Sequence, residues 1–421
     1  MSSIDERTRY VGDESALAPS WLHEGLPEVL RETGALGARG ADVLELGTLG
    51  FDVDGVTGHL AVVDGRLTVC DGWPDDGPAA ALDAGAFSDL MQDLVSTFGL
   101  VMAGRVEIRR GTADQFIAWE PVLRAVLDER PVHESGSVTL RAPDGGALDL
   151  DHAFSLDDSP EKIGHFLAEA GFLHLESVFT ESEMAAVSAE LDEAIAVARQ
   201  DDGASWWART AGDGWYPARI LGFNLQSPTL RELMASDRFG AIGRFTDDAT
   251  VQRNEIERDS AEGLWKKIGV VEGASDVSWH KDCTMGGHSR RCCALTVGIA
   301  VTGADAESGE LGVVAGSHRA NVQGTGLRAD LDLPRVPLPT RTGDVTVHCS
   351  CTLHMSRPPV ARERRVVYTG FNLAPRAGDV TRTSDDETAR RDRAALNDQA
   401  KALQRRTDFG REHETFALDP T

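Results

Sequence analysis

The amino-acid sequence predicts an α+β protein in two parts, a smaller α/β unit over residues 1–150 and a larger strand-rich unit over residues 151–421. Length is the first observation behind this, because 421 residues exceed what one hydrophobic core usually accommodates. The second is the polar, turn-rich stretch Ala142-Pro143-Asp144-Gly145-Gly146, which separates two differently patterned regions. The third is a series of apolar strand-like runs between Ser278 and Phe371, among which stand His280, Asp282 and His354.

Composition narrows the function classes. A 41% hydrophobic and 26% charged chain is that of a soluble globular protein. The net charge of −26 argues against non-specific nucleic-acid binding, which needs a basic footprint. No apolar run approaches the roughly 18 residues of a membrane span. The start, Met1-Ser2-Ser3-Ile4-Asp5-Glu6-Arg7, lacks the pattern of a signal peptide, so a cytoplasmic protein is expected.

In the first unit, His59–Val63 and Arg66–Cys70 flank Asp64-Gly65, a strong two-residue hairpin signal. Phe87, Leu90, Met91, Leu94, Val95 and Phe98 recur at helical spacing and predict one amphipathic helix. A strand at Arg105–Ile108 and a helix from Asp114 to Asp128 follow. In the second unit, Ser159-Pro160-Glu161 opens a helix with proline at its first position. Gly171–Leu175 reads as a strand. Thr180-Glu181-Ser182-Glu183 is a capping box for a helix that repeats Met184, Val187, Leu191 and Ile195 on one face. Residues 203–225, with Trp206, Trp207, Trp215, Tyr216 and Phe223, read as an aromatic loop, either a substrate lid or a packed structural loop. Ser384-Asp385-Asp386-Glu387 opens a charged helix running to Arg405.

The chemistry concentrates at Ser278-Trp279-His280-Lys281-Asp282, His354 and Arg365. Two imidazoles and one carboxylate can occupy one face of an iron(II) ion, which leaves three positions for a cosubstrate and O2. A 2-oxo acid would take two of them, and its far carboxylate needs a cation such as the planar fork of Arg365. A lone His-x-Asp is unspecific, and the weight comes from its setting. It precedes the strand-like Ala294–Val301, then Gly309–Arg319, Gly343–His348, Leu353–Ser356 and Arg364–Phe371. His348 competes with His354, but His348 continues a strand whereas His354 follows the loop Cys349–Leu353. Arg364 competes with Arg365, and only one of the two can point into a barrel because strand side chains alternate. Spacing from His354 favours Arg365. Of six cysteines, Cys283, Cys292, Cys293, Cys349 and Cys351 surround the site in sequence without paired Cys-x2-Cys spacing, so buried thiols are expected rather than zinc ligands.

The order and spacing of these motifs over about residues 150–375 resemble the phytanoyl-CoA dioxygenase family of iron(II)- and 2-oxoglutarate-dependent oxygenases. The resemblance implies a double-stranded β-helix, a jelly-roll of cupin type, buttressed by helices. It implies His280, Asp282 and His354 as catalytic metal ligands, and Arg365 with Ser356 as the holders of 2-oxoglutarate. Fe(II) is the implied cofactor, with 2-oxoglutarate and O2 as cosubstrates. Gly316-Ser317-His318 matches a family signature and reads as a structural turn. Because Asp282 keeps the carboxylate that related halogenases lack, hydroxylation or another oxidation is implied. The substrate is a small molecule, with an acyl thioester, a sterol-like lipid and a carrier-bound natural product all open. Residues 45–130 resemble a sterol-carrier-type lipid-binding domain, which implies an apolar pocket lined by Met91, Phe98 and Met102; ordinary core packing is the competing reading. The alternative function is a lipid carrier with a non-catalytic metal-binding β-helix.

Overall fold

The computed structural model describes residues 16–246, 251–273, 275, 277–284 and 294–373. The helix expected from Ser384 to Arg405, and Cys292 and Cys293, lie outside the described residues. Among the described residues no helix is long and apolar enough to cross a membrane.

The first unit runs α1 (Gly25–Val43), β1 (Leu49–Val53), β2 (Val56–Val63), β3 (Arg66–Asp71), β4 (Ala79–Leu82), α2 (Ala84–Met91), α3 (Thr97–Met102), β5 (Val106–Arg110), α4 (Ala113–Ile117) and α5 (Glu120–Leu127). Its sheet has the order β3-β2-β1-β4-β5. The β2–β3 hairpin turns at Asp64 and Gly65, both with positive φ (50° and 75°), as a two-residue turn of the primed kind requires. Helix α1 carries no strong apolar stripe, because part of its buried face is glycine. A Cβ on Gly37 would lie 2.5 Å from Val126 Cγ1, so the missing side chain lets α1 pack close to α5.

Two expected helices are each divided. The stripe from Phe87 to Phe98 breaks after Met91, where Asp93 takes φ 56°, and Ser96 caps a new helix by accepting from Gly99 N. The span from Asp114 to Asp128 becomes α4, opened by a Thr112–Gln115 capping box, and α5, which restarts with Pro121 in its first turn. Helical periodicity persists across both breaks because each pair of helices faces the same core. Met91 belongs to that core together with Phe51, Phe87 and Trp119, which favours core packing over a lipid pocket.

The second unit runs α6 (Pro160–Ala170), β6 (Phe172–Leu175), α7 (Glu181–Val197), β7 (Ser205–Thr210), β8 (Gly214–Ile220), α8 (Phe223–Gln226), α9 (Pro228–Ala235), α10 (Asp237–Ile242), β9 (Val251–Arg253), β10 (Glu262–Lys266), β11 (Val270–Gly273), β12 (Val277–His280), β13 (Leu295–Ala300), β14 (Leu311–Val314), β15 (Arg335–Leu338), β16 (Val345–Cys349), β17 (His354–Ser356) and β18 (Arg364–Leu373). One antiparallel sheet has the order β11-β7-β8-β10-β18-β13-β16-β6, with β9 added beside β18, and the other has the order β12-β17-β14-β15. From β12 onward each strand crosses to the other sheet except at β14–β15, which pair as neighbours, so β10-β18-β13-β16 face β12-β17-β14-β15 in jelly-roll order. The expected double-stranded β-helix is therefore present as two separate, unclosed sheets.

Helices cover the outer face of the larger sheet. The Thr180–Glu183 capping box forms, and Met184, Val187 and Leu191 of α7 are buried as anticipated. Phe371 of β18 stacks on Phe239 of α10 at 5.1 Å. The aromatic stretch 203–225, expected as a loop, is mostly the β7–β8 hairpin, paired from Ser205↔Ile220 to Thr210↔Gly214. Its tryptophans extend the sheet rather than forming a loop lid.

The division between cores falls earlier than residue 150. Val132 is the last residue of the first core, while Leu140, Leu148, Leu150 and Leu156 already pack on the second.

Arg124 sits in the first unit at 1% exposure, with Asp93, Glu120 and Asp128 at 3.1, 3.1 and 3.2 Å. It also donates to Leu90 O at 2.7 Å, so it ties α5 to the turn after α2. Removing the one cation leaves buried carboxylates uncompensated. Arg124→Ala should therefore cost about 3–5 kcal/mol of stability, measured by urea unfolding.

Candidate active site

The site is built on one strand pair. β12 and β17 are antiparallel with His280 directly opposite His354, so both imidazoles leave the sheet on the same side, ring centroids 4.2 Å apart. Asp282 follows β12 in a short turn and closes the triangle. One donor atom from each of His280, Asp282 and His354 lies within 4.8 Å of the other two.

Hydrogen bonds fix which nitrogens face inward. His280 Nδ1 donates to Ser278 O at 2.7 Å, and His354 Nδ1 donates to Thr352 O at 2.9 Å. A carbonyl only accepts, so each Nδ1 carries the proton and each Nε2 presents a lone pair. Those Nε2 atoms stand 3.3 and 3.5 Å from the same carboxylate oxygen, Asp282 Oδ1. Three acceptors facing one another have no mutual hydrogen bond to make, and a cation among them resolves the arrangement. Burial lowers His354 well below the ordinary histidine value, and the neighbouring imidazoles of His348 and His280 lower it further. Burial by itself would raise Asp282, but positive charge beside it, carried by the imidazoles when they are protonated, holds it well below the usual carboxylate range. Neutral imidazoles and an ionised carboxylate are the protonation states that ligate a metal.

The other carboxylate oxygen has different company. Thr296 of β13 donates its hydroxyl to Asp282 Oδ2 at 2.6 Å. His348 of β16 places Nε2 3.4 Å from the same Oδ2 and is fully buried. The competition between the two histidines thus has a geometric form: His354 shares Oδ1 with His280, and His348 packs behind on Oδ2. Thr296 was not anticipated, since only the register of β13 against β16, with Thr296 opposite His348, brings it to the aspartate.

The expected Gly316-Ser317-His318 turn is structural and serves both ligand segments. Ser317 Oγ accepts from Leu353 N at 2.8 Å, next to His354, and Ser317 O accepts from Lys281 Nζ at 3.0 Å, between His280 and Asp282. Gly316 takes φ 78°, the left-handed conformation such a turn needs.

The expectation for Arg365 is corrected. Its guanidinium leaves the barrel, donating to Ser188 Oγ at 2.8 Å and Asp192 Oδ1 at 2.6 Å on α7, and it lies over Trp265. Arg365 pairs with Trp265 on the helix-facing side of the sheet, so alternation turns its neighbour inward. Arg364 is the interior residue, 5% exposed, donating to Gly309 O at 2.6 Å and reaching Ser356 Oγ at 3.4 Å and the Tyr368 hydroxyl at 3.4 Å. Among the described residues no carboxylate lies at ion-pair distance from it. Lys266, opposite Arg364 on β10, donates to Ser356 Oγ at 2.8 Å. Ser356 thus lies between two buried cations, neither of them the expected Arg365. Spacing in the sequence favoured the outward one of the two adjacent arginines, and it gave no sign of Lys266, 90 residues away from Ser356.

Residues 167–366 match the family model of phytanoyl-CoA dioxygenase (PhyH). No curated protein sequence matches the chain at a significant level. Among solved structures, AviO1 from Streptomyces viridochromogenes Tue57 is 21% identical, with 52% of this chain and 98% of that one covered and a TM-score of 0.41. SnoK, the non-heme alpha-ketoglutarate-dependent carbocyclase from nogalamycin biosynthesis, is 22% identical over 57% of this chain and 93% of its own, with a TM-score of 0.43. EctD from S. alaskensis with 2-oxoglutarate and 5-hydroxyectoine is 19% identical over 60% and 94%, also with a TM-score of 0.43. The family match stops short of the first unit, and the sterol-carrier resemblance has no support.

Thr296 orients the aspartate from outside the donor set, and such partners typically govern metal affinity by about 10- to 100-fold. Thr296→Val should weaken iron(II) binding by that order. His354→Ala should lose the metal and His348→Ala keep it, read as metal content of the purified variants; retention only in His354→Ala would exchange their roles.

Proposed function

We infer that this protein is an iron(II)- and 2-oxoglutarate-dependent oxygenase that oxidises an unactivated C–H bond of a small-molecule substrate, a reading supported by the match of residues 167–366 to the phytanoyl-CoA dioxygenase family model. The observation that carries the reading is the convergence of His280 Nε2, His354 Nε2 and Asp282 Oδ1, with both Nδ1 protons committed to backbone carbonyls.

The donor set fits iron(II), two neutral nitrogens and one carboxylate oxygen occupying three of six positions. When bound, the iron supplies O2 activation coupled to decarboxylation of the 2-oxo acid. The chain's own residues do the rest. Asp282 would offset one of the two metal charges, and Thr296 donates to its outer oxygen, Oδ2, so that Oδ1 would be the ligating atom. Arg364, with the Ser356 hydroxyl, is suited to hold the far carboxylate of 2-oxoglutarate, and Lys266 adds a second positive charge at that end. Each of these cations is almost completely buried, so an anion there would be bound at low dielectric and with little competing water. Retention of the Asp282 carboxylate supports hydroxylation or a related oxidation over halogenation.

Iron-loaded protein should convert 2-oxoglutarate to succinate, faster when a substrate from a small-molecule screen is present, and His280→Ala should abolish this. Binding of iron without any 2-oxoglutarate turnover across such a screen would favour the non-catalytic metal-binding alternative. The two arginines separate in the same assay. Losing a charge-assisted hydrogen bond of about 1.5–3 kcal/mol corresponds to about 10- to 100-fold. Arg364→Met should raise the KM for 2-oxoglutarate by that order, whereas Arg365→Met should leave it unchanged.

A further inference from the structure

We infer that the first unit acts as a brace for the metal-bearing strand, and that Asn321 is a positioning residue for His280 and Asp282. This rests on the oxygenase reading of the site.

β12 is the edge strand of its sheet, paired with β17 on one side only. Its other edge is met by the irregular segment that joins β14 to β15. Lys281 N donates to Gly324 O at 2.8 Å, Gly326 N donates to Trp279 O at 2.8 Å, and His280 bridges Thr325. The Lys281 ammonium, 3% exposed, donates to Ser317 O at 3.0 Å and Ala320 O at 3.4 Å. Residues 317–326 therefore grip the metal strand at Trp279, His280 and Lys281. They contain no helix or strand of their own, so their position depends on what holds them.

The first unit holds them. Asn321, 7% exposed, donates both amide hydrogens, to Pro121 O in α5 at 2.8 Å and to Arg130 O at 2.8 Å. Its backbone bridges Val132, and His133 N donates to Asn321 O at 3.0 Å. Arg328 Nη2 donates to Val43 O, the last residue of α1, at 3.3 Å. Asp332 accepts from His133 Nε2 at 2.7 Å, Ser135 Oγ at 2.8 Å and Gly136 N at 2.7 Å. Between these anchors, Val322, Leu327, Leu331 and Leu333 pack with Trp279 and Met355 in a small core behind the two ligand strands. A path of backbone hydrogen bonds and packed side chains thus runs from α5 through Asn321 and Gly324 to the residues on either side of the metal site. Ligand placement within fractions of an ångström depends on such support.

Asn321 is the joint whose chemistry is most specific, because two carbonyl acceptors need two donors. Asn321→Asp keeps the shape and removes both donors. In the full-length protein, cobalt(II) binding followed by visible absorption should weaken by at least about tenfold in this variant. Amide exchange across residues 279–282 should quicken with no metal present. Asp332→Ala, which loosens only the more exposed clasp and so keeps the variant set informative if Asn321→Asp fails to fold, should weaken binding by a smaller factor. Leu60→Ala, in the first core and away from the brace, should lower the melting temperature while leaving cobalt affinity within about twofold. The inference falls if Asn321→Asp and Asp332→Ala bind cobalt as the unmodified protein does, or if Leu60→Ala weakens binding as much as they do. Cobalt binding by the unmodified protein no tighter than by His280→Ala would instead remove the metal site itself, and the brace with it.

Discussion

The antiparallel pairing of β12 with β17, which sets His280 opposite His354, is the constraint on which the rest of the site depends. Residues directly opposite in an antiparallel pair share a face and stand about 5 Å apart at Cβ. The pairing thus brings together two rings separated by 74 residues of chain without requiring either side chain to reach. A slip of one residue would send one ring to the outer face with Trp279 and Met355. Much of the surrounding structure can be understood as preventing that slip. The Ser317 turn contacts both ligand segments, the segment 324–326 covers the free edge of β12, and the small core around Trp279 fills the outer face.

The two faces of the larger sheet divide labour in the same way. Its helix-facing side carries Val297, Val347, Val367 and Phe371 in the large apolar core. Its inward side carries Thr296, His348, Tyr368 and Arg364. An interior lined with polar groups is costly unless those groups are bonded to one another or to a ligand. Here Thr296 bonds Asp282, Arg364 bonds a backbone carbonyl and Lys266 bonds Ser356 and its neighbour's carbonyl. The interior between the sheets is thus a polar chamber that holds both the Asp282 carboxylate and the buried cations Arg364 and Lys266.

The first unit has its own apolar core and a buried ion cluster around Arg124. Its contact with the second unit runs largely through main-chain carbonyls at Val43, Pro121 and Arg130 and through the turn at residues 133–136. Main-chain carbonyl acceptors in and beside the helices are well suited to a fixed joint, because they present direction without side-chain freedom.

What the sequence by itself determined is local chemistry. Asp64-Gly65 specified a turn and Thr180 with Glu183 specified a helix start, each from neighbours within a few residues, where spacing alone carries the physics. His280, Asp282 and His354 were legible as a candidate metal triad, and the two-sheet architecture followed from the resemblance that the order of motifs carries. Tertiary structure decided whatever depended on register or on distant partners. It turned Arg364 inward and Arg365 outward, because only the pairing of β18 with β10 sets which residues share a face with Trp265. It set His348 behind His354, recruited Thr296 and Lys266, and broke two smooth helical stripes at Asp93 and before Pro121, where periodicity continues across the break because the same core lies beneath. It also converted an aromatic loop into the β7–β8 hairpin, since strand pairing is a property of two segments and neither shows it alone.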